Sequence, residues 1–537
     1  MTSSALARIF PTAGEIPEKW RHTPSDVGLR LVLGGKLVRW DGPTQEIRSA
    51  VCVRDGDGGL RQLGLGQGAL AAAAEGRAAV ESASKAWDGG RGDWPRASAE
   101  ERIACIQGFT KRAKPLREEV ARALMWEIGK PYADCLVEFD RTMQYVDDTV
   151  ETLRRLEREN GPHVVAGGFT ARVRRSPLGR ALCMGPYNYA INEVFTTVIP
   201  ALVMGNPVIV KTPRYGVLSN ALLAPALVES FPAGVVSFVT GHGPAVVGPM
   251  MESGKVDVLA LIGSARTAKV LLRQHPNFHR LRTVLGMGAK NPAIVLEDAD
   301  LDEAAKEIVS GALTFNGQRC TALKHILVLK KVAQPLVEKL AERIDALKVG
   351  MPWEDGVTIT PLPDPEHPAH MEELVEDATS KGGKVMNKDG GERAGTLYRP
   401  ALVYPVSKDA LLFTKEQFGP VVPVSPIDSA EEALEIVANS EVGQQASVFG
   451  KDQATLSTLV DHLANLVCRV NLNTQCRRGP DVLPFTGRKD SAVGTLSLYD
   501  ALRSFSIRSI VAVPQKVESL LDDLATKSSF LAPPAKE

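Results

Sequence analysis

The feature that most constrains the fold is a regular alternation of short apolar runs with helical segments in the middle of the chain. Four of the apolar runs lie at 180–184, 208–211, 235–239 and 256–262. Continuous apolar strands that alternate with helices are typical of a parallel sheet with both faces covered. The alternation resumes after Asn291 and again from 360 to 465. The sequence therefore predicts a parallel α/β architecture.

The length and the charge balance limit the class of protein. A chain of 537 residues exceeds one hydrophobic core, so we expect two or three domains. Lys plus Arg and Asp plus Glu both number 63. The chain therefore lacks the net positive charge by which proteins are attracted to nucleic acid or to a membrane surface. No apolar run reaches the roughly 18 residues of a membrane span, and residues 1–15 lack the pattern of a signal peptide. We expect a cytoplasmic protein.

Cysteine usage points to one candidate nucleophile. The seven cysteines are odd in number and form no CxxC pair, which argues against a disulfide framework and against a zinc site. Cys320 lies between an amphipathic run, 301–313, and a β-rich run, 326–329, directly after Arg319. Side chains in loops between elements are often accessible to ligands. An adjacent cation lowers the pKa of a thiol. The alternative is a buried, inert cysteine.

Polar residues also stand where α/β sheets bind ligands. Asn188 follows a strand, where its amide would either donate to an oxyanion or cap the next helix. Lys211 ends a strand and, with Arg214, suits a phosphate or a nucleotide ribose, unless both are simply exposed. The Gly263-Ser264 turn would let the backbone approach a pyrophosphate, and Glu416 precedes a tight turn. A plain turn and a solvated carboxylate are the alternatives there.

The two ends of the chain differ from its middle. Residues 1–28 are polar and weakly periodic, so we predict an N-terminal arm. A hairpin is predicted within 29–40, and the segment 493–513 is rich in strand-forming residues. Residues 514–537 are polar and contain Pro-Pro, which favours a flexible tail.

Five motifs in a fixed order give the chain a resemblance to the aldehyde dehydrogenase superfamily over roughly residues 60–512. They are Pro186-Tyr187-Asn188-Tyr189, Lys211, Gly263-Ser264, Gly317-Gln318-Arg319-Cys320-Thr321-Ala322 and Glu416-x-Phe418-Gly419-Pro420. Within the superfamily the chain is most similar to the non-phosphorylating, NADP-dependent glyceraldehyde-3-phosphate dehydrogenase branch. That branch carries a late Gln-Arg-Gly-x-Asp-x-x-Pro-Phe motif, which appears here with Arg477 in place of Gln.

The resemblance implies the fold and the assembly. It implies two Rossmann-type α/β domains plus a small β oligomerisation arm. The expected cofactor-binding domain comprises 29–163 and 178–288, and the expected catalytic domain comprises 289–490. The arm would comprise 164–177 and 491–513, with its strands pairing across subunits. We therefore expect a homodimer or a homotetramer.

The resemblance also implies a reaction. Cys320 would attack the aldehyde while Asn188 and the Cys320 main-chain N–H hold the oxyanion. The hydride would pass to NADP, with NAD possible, and the resulting thioester would be hydrolysed. The cofactor-binding residues it implies are Lys211, Arg214, Gly263, Ser264 and Glu416. The residues it implies for a small phosphorylated aldehyde are Arg141, Tyr189, Arg319, Thr321 and Arg478. No bound metal is expected.

Three departures from the branch's pattern bear on function. The superfamily's Glu-Leu-Gly-Gly-Lys motif appears as Gly286-Met287-Gly288-Ala289-Lys290, so the glutamate expected to be the general base is replaced by Gly286. Either another group, Glu416 first, activates the water, or coenzyme A takes the acyl group. A non-catalytic structural member of the fold would also tolerate the loss. Arg214 and Pro249 replace a usual Thr and Asp, which affects cofactor preference only mildly.

Overall fold

The computed structural model describes residues 5–159, 161 and 163–532, and it is built around two mostly parallel sheets with helices on both faces. The first sheet has eight strands, with five parallel strands in the centre and antiparallel strands at both edges. In spatial order the strands are Lys36–Arg39, Arg30–Leu33, Val236–Val239, Val208–Lys211, Ala181–Met184, Val258–Ile262, Arg282–Gly286 and Ala492–Val493. The predicted hairpin within 29–40 is confirmed as the first two of these.

The strand order of the first sheet reverses beside Ala181–Met184. The chain runs outward from there through Val208–Lys211 and then crosses back to Val258–Ile262 on the opposite side. In open α/β sheets, ligands bind outside the carboxyl ends of the strands at such a reversal. Asn188 and Gly263 follow the two strands that flank it.

The second sheet has seven strands, of which all but one edge strand are parallel. In spatial order they are Lys384–Val385, Ala401–Tyr404, Val421–Ile427, Leu323–Leu329, Asn291–Val295, Gln445–Phe449 and Arg469–Leu472. The central strands are fully buried, as expected for strands covered on both faces. The predicted fold, two α/β domains of the aldehyde dehydrogenase kind, is confirmed.

Helices cover both sheets. Those around the first sheet are Ala73–Trp87, Asp93–Arg96, Ala99–Ala113, Arg117–Ile128, Tyr132–Glu159, Asn192–Val203, Val217–Ser230, Gly243–Glu252 and Ala265–Gln274. Those around the second are Leu301–Leu313, Lys330–Asp345, His367–Ser380, Leu411–Thr414, Ala430–Asn439 and Gln453–Leu463. Among the described residues, no helix combines the length and the apolar character needed to cross a membrane.

The arm is a three-stranded antiparallel sheet of Val164–Ala166, Phe169–Pro177 and Ser506–Pro514. Its long strands pair within one chain, from Ser506 opposite Pro177 to Pro514 opposite Phe169. The prediction that these strands pair across subunits is therefore wrong. The predicted strand-rich segment 493–513 is also interrupted by a helix, Leu498–Ser504, which Ser497 caps.

Both chain ends are more ordered than the sequence predicts. Short 3₁₀ turns bury Phe10 and Trp20 near the N-terminus, and a hairpin of Thr44–Arg54 and Leu60–Ala69 follows. At the other end, helix Ser519–Ala525 packs against the arm. The predicted flexible tail is therefore wrong up to residue 532, because the arm supplies an apolar surface that sequence composition does not reveal. The parts of both predictions at 1–4 and 533–537 lie outside the described residues.

Candidate active site

One cavity of about 1310 Å³ brings the predicted site residues together. It lies where the carboxyl ends of the first sheet meet the loop that precedes Leu323–Leu329 of the second. All twelve candidate site residues line it: Arg141, Asn188, Tyr189, Lys211, Arg214, Gly263, Ser264, Arg319, Cys320, Thr321, Glu416 and Arg478. Residues that are far apart in sequence therefore share one site, although their roles stay predictions.

Cys320 sits on a tightly turned loop. Phe315, Asn316 and Gly317 all have positive φ, and the Asn316 side chain fixes this turn by exchanging hydrogen bonds with Thr360. The Cys320 carbonyl accepts hydrogen bonds of 2.8 Å from Asn291 and from Lys324. The main chain at Cys320 is thus held in place, and its side chain is partly buried at the cavity wall.

The electrostatic surroundings of the thiol differ from the sequence expectation. Burial raises the pKa of Cys320, and the Glu193 carboxylate raises it further, whereas Lys324, Arg478 and a hydrogen bond from Gln444 lower it. The expectation that adjacent Arg319 lowers this pKa is wrong, because the Arg319 guanidinium points to the carbonyls of 310 and 311. The resting thiol is therefore harder to ionise than a free cysteine.

Asn188 is held against the nucleophile loop. Its side-chain amide donates a 2.6 Å hydrogen bond to the carbonyl of Gln318, two residues before Cys320. Its own carbonyl accepts a 2.7 Å hydrogen bond from Lys130, which is buried and ion-paired with Glu138. Glu138 in turn accepts from the main-chain N–H groups that open helix Asn192–Val203. This buried network fixes the turn that carries the amide.

The position where the family motif has a glutamate is part of the cavity wall and carries no side chain. Gly286 ends strand Arg282–Gly286 and lines the cavity. The atoms nearest to a Cβ built there belong to the Ile262 side chain, at 3.5 Å or more, which is ordinary van der Waals contact. Glu416 instead lies beside Gly288, where a Cβ would come within 2.5 Å of its Oε2. Glu416 accepts from the Ala289 N–H at 3.1 Å.

The predicted cofactor end of the cavity carries cations and a helix start. Lys211 is buried at the end of its strand, and burial lowers its pKa to about 8. Arg214 is largely exposed and lies over the Tyr215 ring. Ser264 caps helix Ala265–Gln274 by accepting from the Thr267 N–H. The N-terminus of that helix therefore opens toward the cavity.

The predicted anion site contains carboxylates that sequence reasoning missed. Arg141 pairs with Asp481 at 2.9 Å, and Arg478 pairs with both Glu193 and Asp481. Burial lowers the pKa of Arg478, but these two carboxylates raise it above its usual value. Arg319 stands apart from these pairs, with its guanidinium bonded to the main-chain carbonyls of 310 and 311 and near the Asp134 carboxylate. Tyr189 faces the Lys130 ammonium, 3.8 Å from its ring.

Residues in or beside the site to which the sequence assigned no role include Lys130, Glu193, Lys324, Gln444 and Asp481. Lys324 lies four residues after Cys320, and Glu193 lies five after Asn188, so proximity to the two motifs was the available signal. Lys130 follows a helix-ending glycine, and no local pattern marks it or Gln444. Among the described residues, no group of three His, Cys, Asp or Glu side chains is placed to bind a metal ion.

Comparison with known proteins finds extensive similarity. Residues 62–511 match the profile of the aldehyde dehydrogenase family. An NADP-dependent glyceraldehyde-3-phosphate dehydrogenase of Streptococcus equinus is 37% identical over 410 residues, which cover 74% of this chain and 82% of that one. The Pisum sativum protein of the same name is 32% identical over 431 residues, covering 79% and 84%.

A solved structure agrees with these sequence matches. It is an NADP-dependent glyceraldehyde-3-phosphate dehydrogenase from Bacillus halodurans, complexed with NADP. It superposes with a TM-score of 0.83 at 30% identity, covering 90% of this chain and 99% of that one.

Proposed function

The chain belongs to the aldehyde dehydrogenase family, and on that premise we propose that it oxidises glyceraldehyde 3-phosphate to 3-phosphoglycerate with NADP and without inorganic phosphate. The chain is an oxidoreductase that acts on aldehydes. One observation carries the finer assignment: a thiol, an amide donor and three arginines line a single cavity. The relatives named for this substrate, at 32% and 37% identity, support it.

The proposed chemistry begins at Cys320. Its thiolate adds to the aldehyde carbon and forms a thiohemiacetal, whose oxyanion accepts hydrogen bonds from the Asn188 amide and the Cys320 main-chain N–H. To do so, the amide exchanges its bond to the Gln318 carbonyl for one to the oxyanion. NADP bound in the cavity would supply the acceptor for the hydride that leaves this carbon, and Cys320 would then hold the acyl group as a thioester. Water then releases the acid.

The residues present fit a phosphorylated dinucleotide. Lys211 and Arg214 offer two cations at one end of the cavity, and the capped N-terminus of helix Ala265–Gln274 offers main-chain N–H groups to a pyrophosphate. Glu416, nearer the thiol, would bind the nicotinamide ribose. The volume exceeds the roughly 300–1,000 Å³ of common small-molecule sites, which leaves room for cofactor and substrate together.

The charges at the other end suit an anionic substrate. Arg141 and Arg478 are paired with Asp481 and Glu193, and Arg319 adds a third guanidinium to the cavity lining. Among the described residues, the Nε of Arg319 and the Nη2 of Arg478 have no hydrogen-bond partner. Buried donors without partners are costly, so a substrate phosphate that reaches them after a small side-chain movement would be stabilised. Tyr189 and Thr321 would complete this site.

Two other functions remain as alternatives. The lack of a side chain at Gly286 favours an acyl transfer to coenzyme A, since the family's expected base is absent there. A non-catalytic structural role would also tolerate that absence. Rapid alkylation of Cys320 by iodoacetamide, slowed by NADP, would count against the structural role.

The test is product formation. The protein is mixed with glyceraldehyde 3-phosphate and NADP, with and without phosphate and with and without coenzyme A. We expect equal amounts of NADPH and 3-phosphoglycerate, independent of both additions. A strict requirement for coenzyme A would favour a coenzyme A-acylating dehydrogenase. No product under any condition would exclude both the hydrolytic and the acylating enzyme.

We also propose that the protein acts in the cytoplasm as a homodimer or homotetramer. Val164, Val165 and Phe169 on the arm are half exposed, and apolar arm strands that reach solvent are suited to a subunit contact. The seven cysteines are all free, which fits a reducing compartment. Sedimentation of the purified chain tests the oligomer.

A further inference from the structure

Hydrolysis of the proposed thioester needs a base, and Gly286 cannot be one. The other carboxylates that line the cavity in the described part of the chain are therefore the candidates. They are Glu193, Glu416, Glu441 and Asp490. A general base must reach a water beside the acyl carbon on Cys320 and must have an oxygen free to accept its proton.

Three of the four carboxylates are less suited to that task than Glu193. Glu416 uses Oε1 for both Lys324 at 2.7 Å and the Ala289 N–H at 3.1 Å, and its side chain is 26% exposed. Asp490 pairs with Lys269 at 2.9 Å and is partly exposed, and Glu441 is exposed to solvent. A carboxylate that is surrounded by bulk water would hold and activate a water molecule little better than the solvent does. Glu416, the candidate that the sequence favoured first, keeps one oxygen free but is less buried than Glu193.

Glu193 differs from them in burial and in what surrounds it. It is 6% exposed and stands in the first turn of helix Asn192–Val203, with its N–H bonded to the Tyr189 carbonyl at 3.0 Å. The same short segment therefore carries Asn188, whose amide reaches the loop of Cys320. Among the charged groups near the thiol, Glu193 affects the pKa of Cys320 most strongly, and Glu416 is not among the main ones.

The two oxygens of Glu193 have different partners. Oε2 is held by Nη1 of Arg478, an ion pair in which both side chains are less than a tenth exposed. Oε1 has no hydrogen bond to any described residue. The arginine orients the carboxylate through Oε2, which leaves Oε1 available to a water in the cavity.

We propose that the Glu193 carboxylate is the general base that activates the deacylating water, in place of the glutamate expected at position 286. The proposal rests on the thioester chemistry proposed above. Water adds to the acyl carbon while Oε1 takes one of its protons, so a C–O bond forms and the tetrahedral oxyanion receives the displaced electron pair. Collapse of that intermediate breaks the C–S bond and expels the Cys320 thiolate. The acid leaves, and Glu193 returns its proton to solvent.

The test uses p-nitrophenyl acetate, which acylates a reactive thiol without any cofactor and releases coloured nitrophenolate. Wild type and Glu193→Gln should show the same burst of nitrophenolate from acylation. The steady rate that follows should fall about 100-fold in Glu193→Gln, the usual contribution of one general base. Hydroxylamine, a stronger nucleophile than water, should restore turnover. Glu441→Gln, a change on the same cavity, should behave as wild type.

A second variant keeps the test decisive if Glu193→Gln damages the site. Gly286→Glu places a carboxylate where the family motif has one, and its Cβ would make only ordinary contact with Ile262. Added to Glu193→Gln, it should restore the steady rate. The proposal is overturned by an unchanged steady rate in Glu193→Gln, or by a lost burst that Gly286→Glu does not rescue.

The outcome also separates this inference from the proposed substrate. Glu193-dependent hydrolysis of the acetyl enzyme without oxidation of glyceraldehyde 3-phosphate would contradict the proposed substrate only. Oxidation of glyceraldehyde 3-phosphate to the free acid at an unchanged rate in Glu193→Gln would contradict only the proposed role of Glu193 as the general base.

Discussion

The ammonium of Lys324 lies 2.7 Å from the Glu416 carboxylate, and the same ammonium donates to the carbonyl of Cys320 at 2.8 Å. Lys324 is almost fully buried, so this ion pair is shielded from solvent. It connects the proposed ribose-binding carboxylate with the main chain of the proposed nucleophile. A substitution that disturbs one of these two sites is therefore expected to affect the other.

Replacing Lys324 by Met tests that connection. The change leaves Glu416 without its buried cation and removes one hydrogen bond to the Cys320 carbonyl. We expect KM for NADP to rise about 10-fold, since a hydrogen bond to a charged group contributes roughly 1.5–3 kcal/mol. Steady-state kinetics against NADP measure it. Lys415→Met, a neighbouring exposed lysine, is the control, and equal KM values for both variants would contradict the connection.

The pH dependence of Cys320 alkylation tests the influence of Glu193 on the thiol. Burial and the Glu193 carboxylate both raise the pKa of Cys320, so the rate with iodoacetamide should still be rising in the alkaline range. Glu193→Gln removes one of the two causes. The midpoint of the rate profile should therefore move to lower pH, whereas Glu441→Gln should leave it in place. A midpoint that does not move, or that moves upward, would show that the two groups do not interact.

Arg141 tests the proposed phosphate site. Arg141→Met should raise KM for glyceraldehyde 3-phosphate by about 10- to 100-fold, because one charged hydrogen bond contributes roughly 1.5–3 kcal/mol. Glyceraldehyde without phosphate serves as the matched substrate, and its kcat/KM should change little. Equal losses for the two substrates would indicate a structural effect through the partner of Arg141, Asp481.

Lys211 gives cofactor binding a predicted pH dependence. Burial lowers the pKa of Lys211 to about 8, so the side chain is cationic below that pH and neutral above it. An anionic cofactor binds the cationic form better, and NADP affinity should therefore fall as the pH rises through about 8. Titration of NADP by fluorescence at several pH values measures this. Lys211→Met should bind NADP weakly, with an affinity that does not change with pH. If the affinity of this variant still falls as the pH rises, the titrating group is not Lys211.

The sheets could be predicted from sequence because their central strands are buried on both faces and appear as continuous apolar runs. Most of the cavity residues could be predicted because they stand in or beside motifs in the loops next to strands, whereas Arg141, inside helix Tyr132–Glu159, came from the family resemblance. The carboxylates that face the arginines could not be predicted in this way. Glu193 meets Arg478 across 285 residues of sequence, and no local pattern encodes that pairing. The order at residues 515–532 was missed for a similar reason, since its apolar partner surface comes from the arm.

The mass of the Cys320 peptide, isolated from the protein during turnover, tests the central claim most directly. Glu193→Gln is mixed with glyceraldehyde 3-phosphate and NADP in buffer without phosphate or coenzyme A, quenched in acid and digested. The account predicts a phosphoglyceroyl group on the Cys320 peptide at about one per chain, and much less on the wild-type peptide at steady state. NADPH formation with an unmodified Cys320 in both proteins would contradict the account.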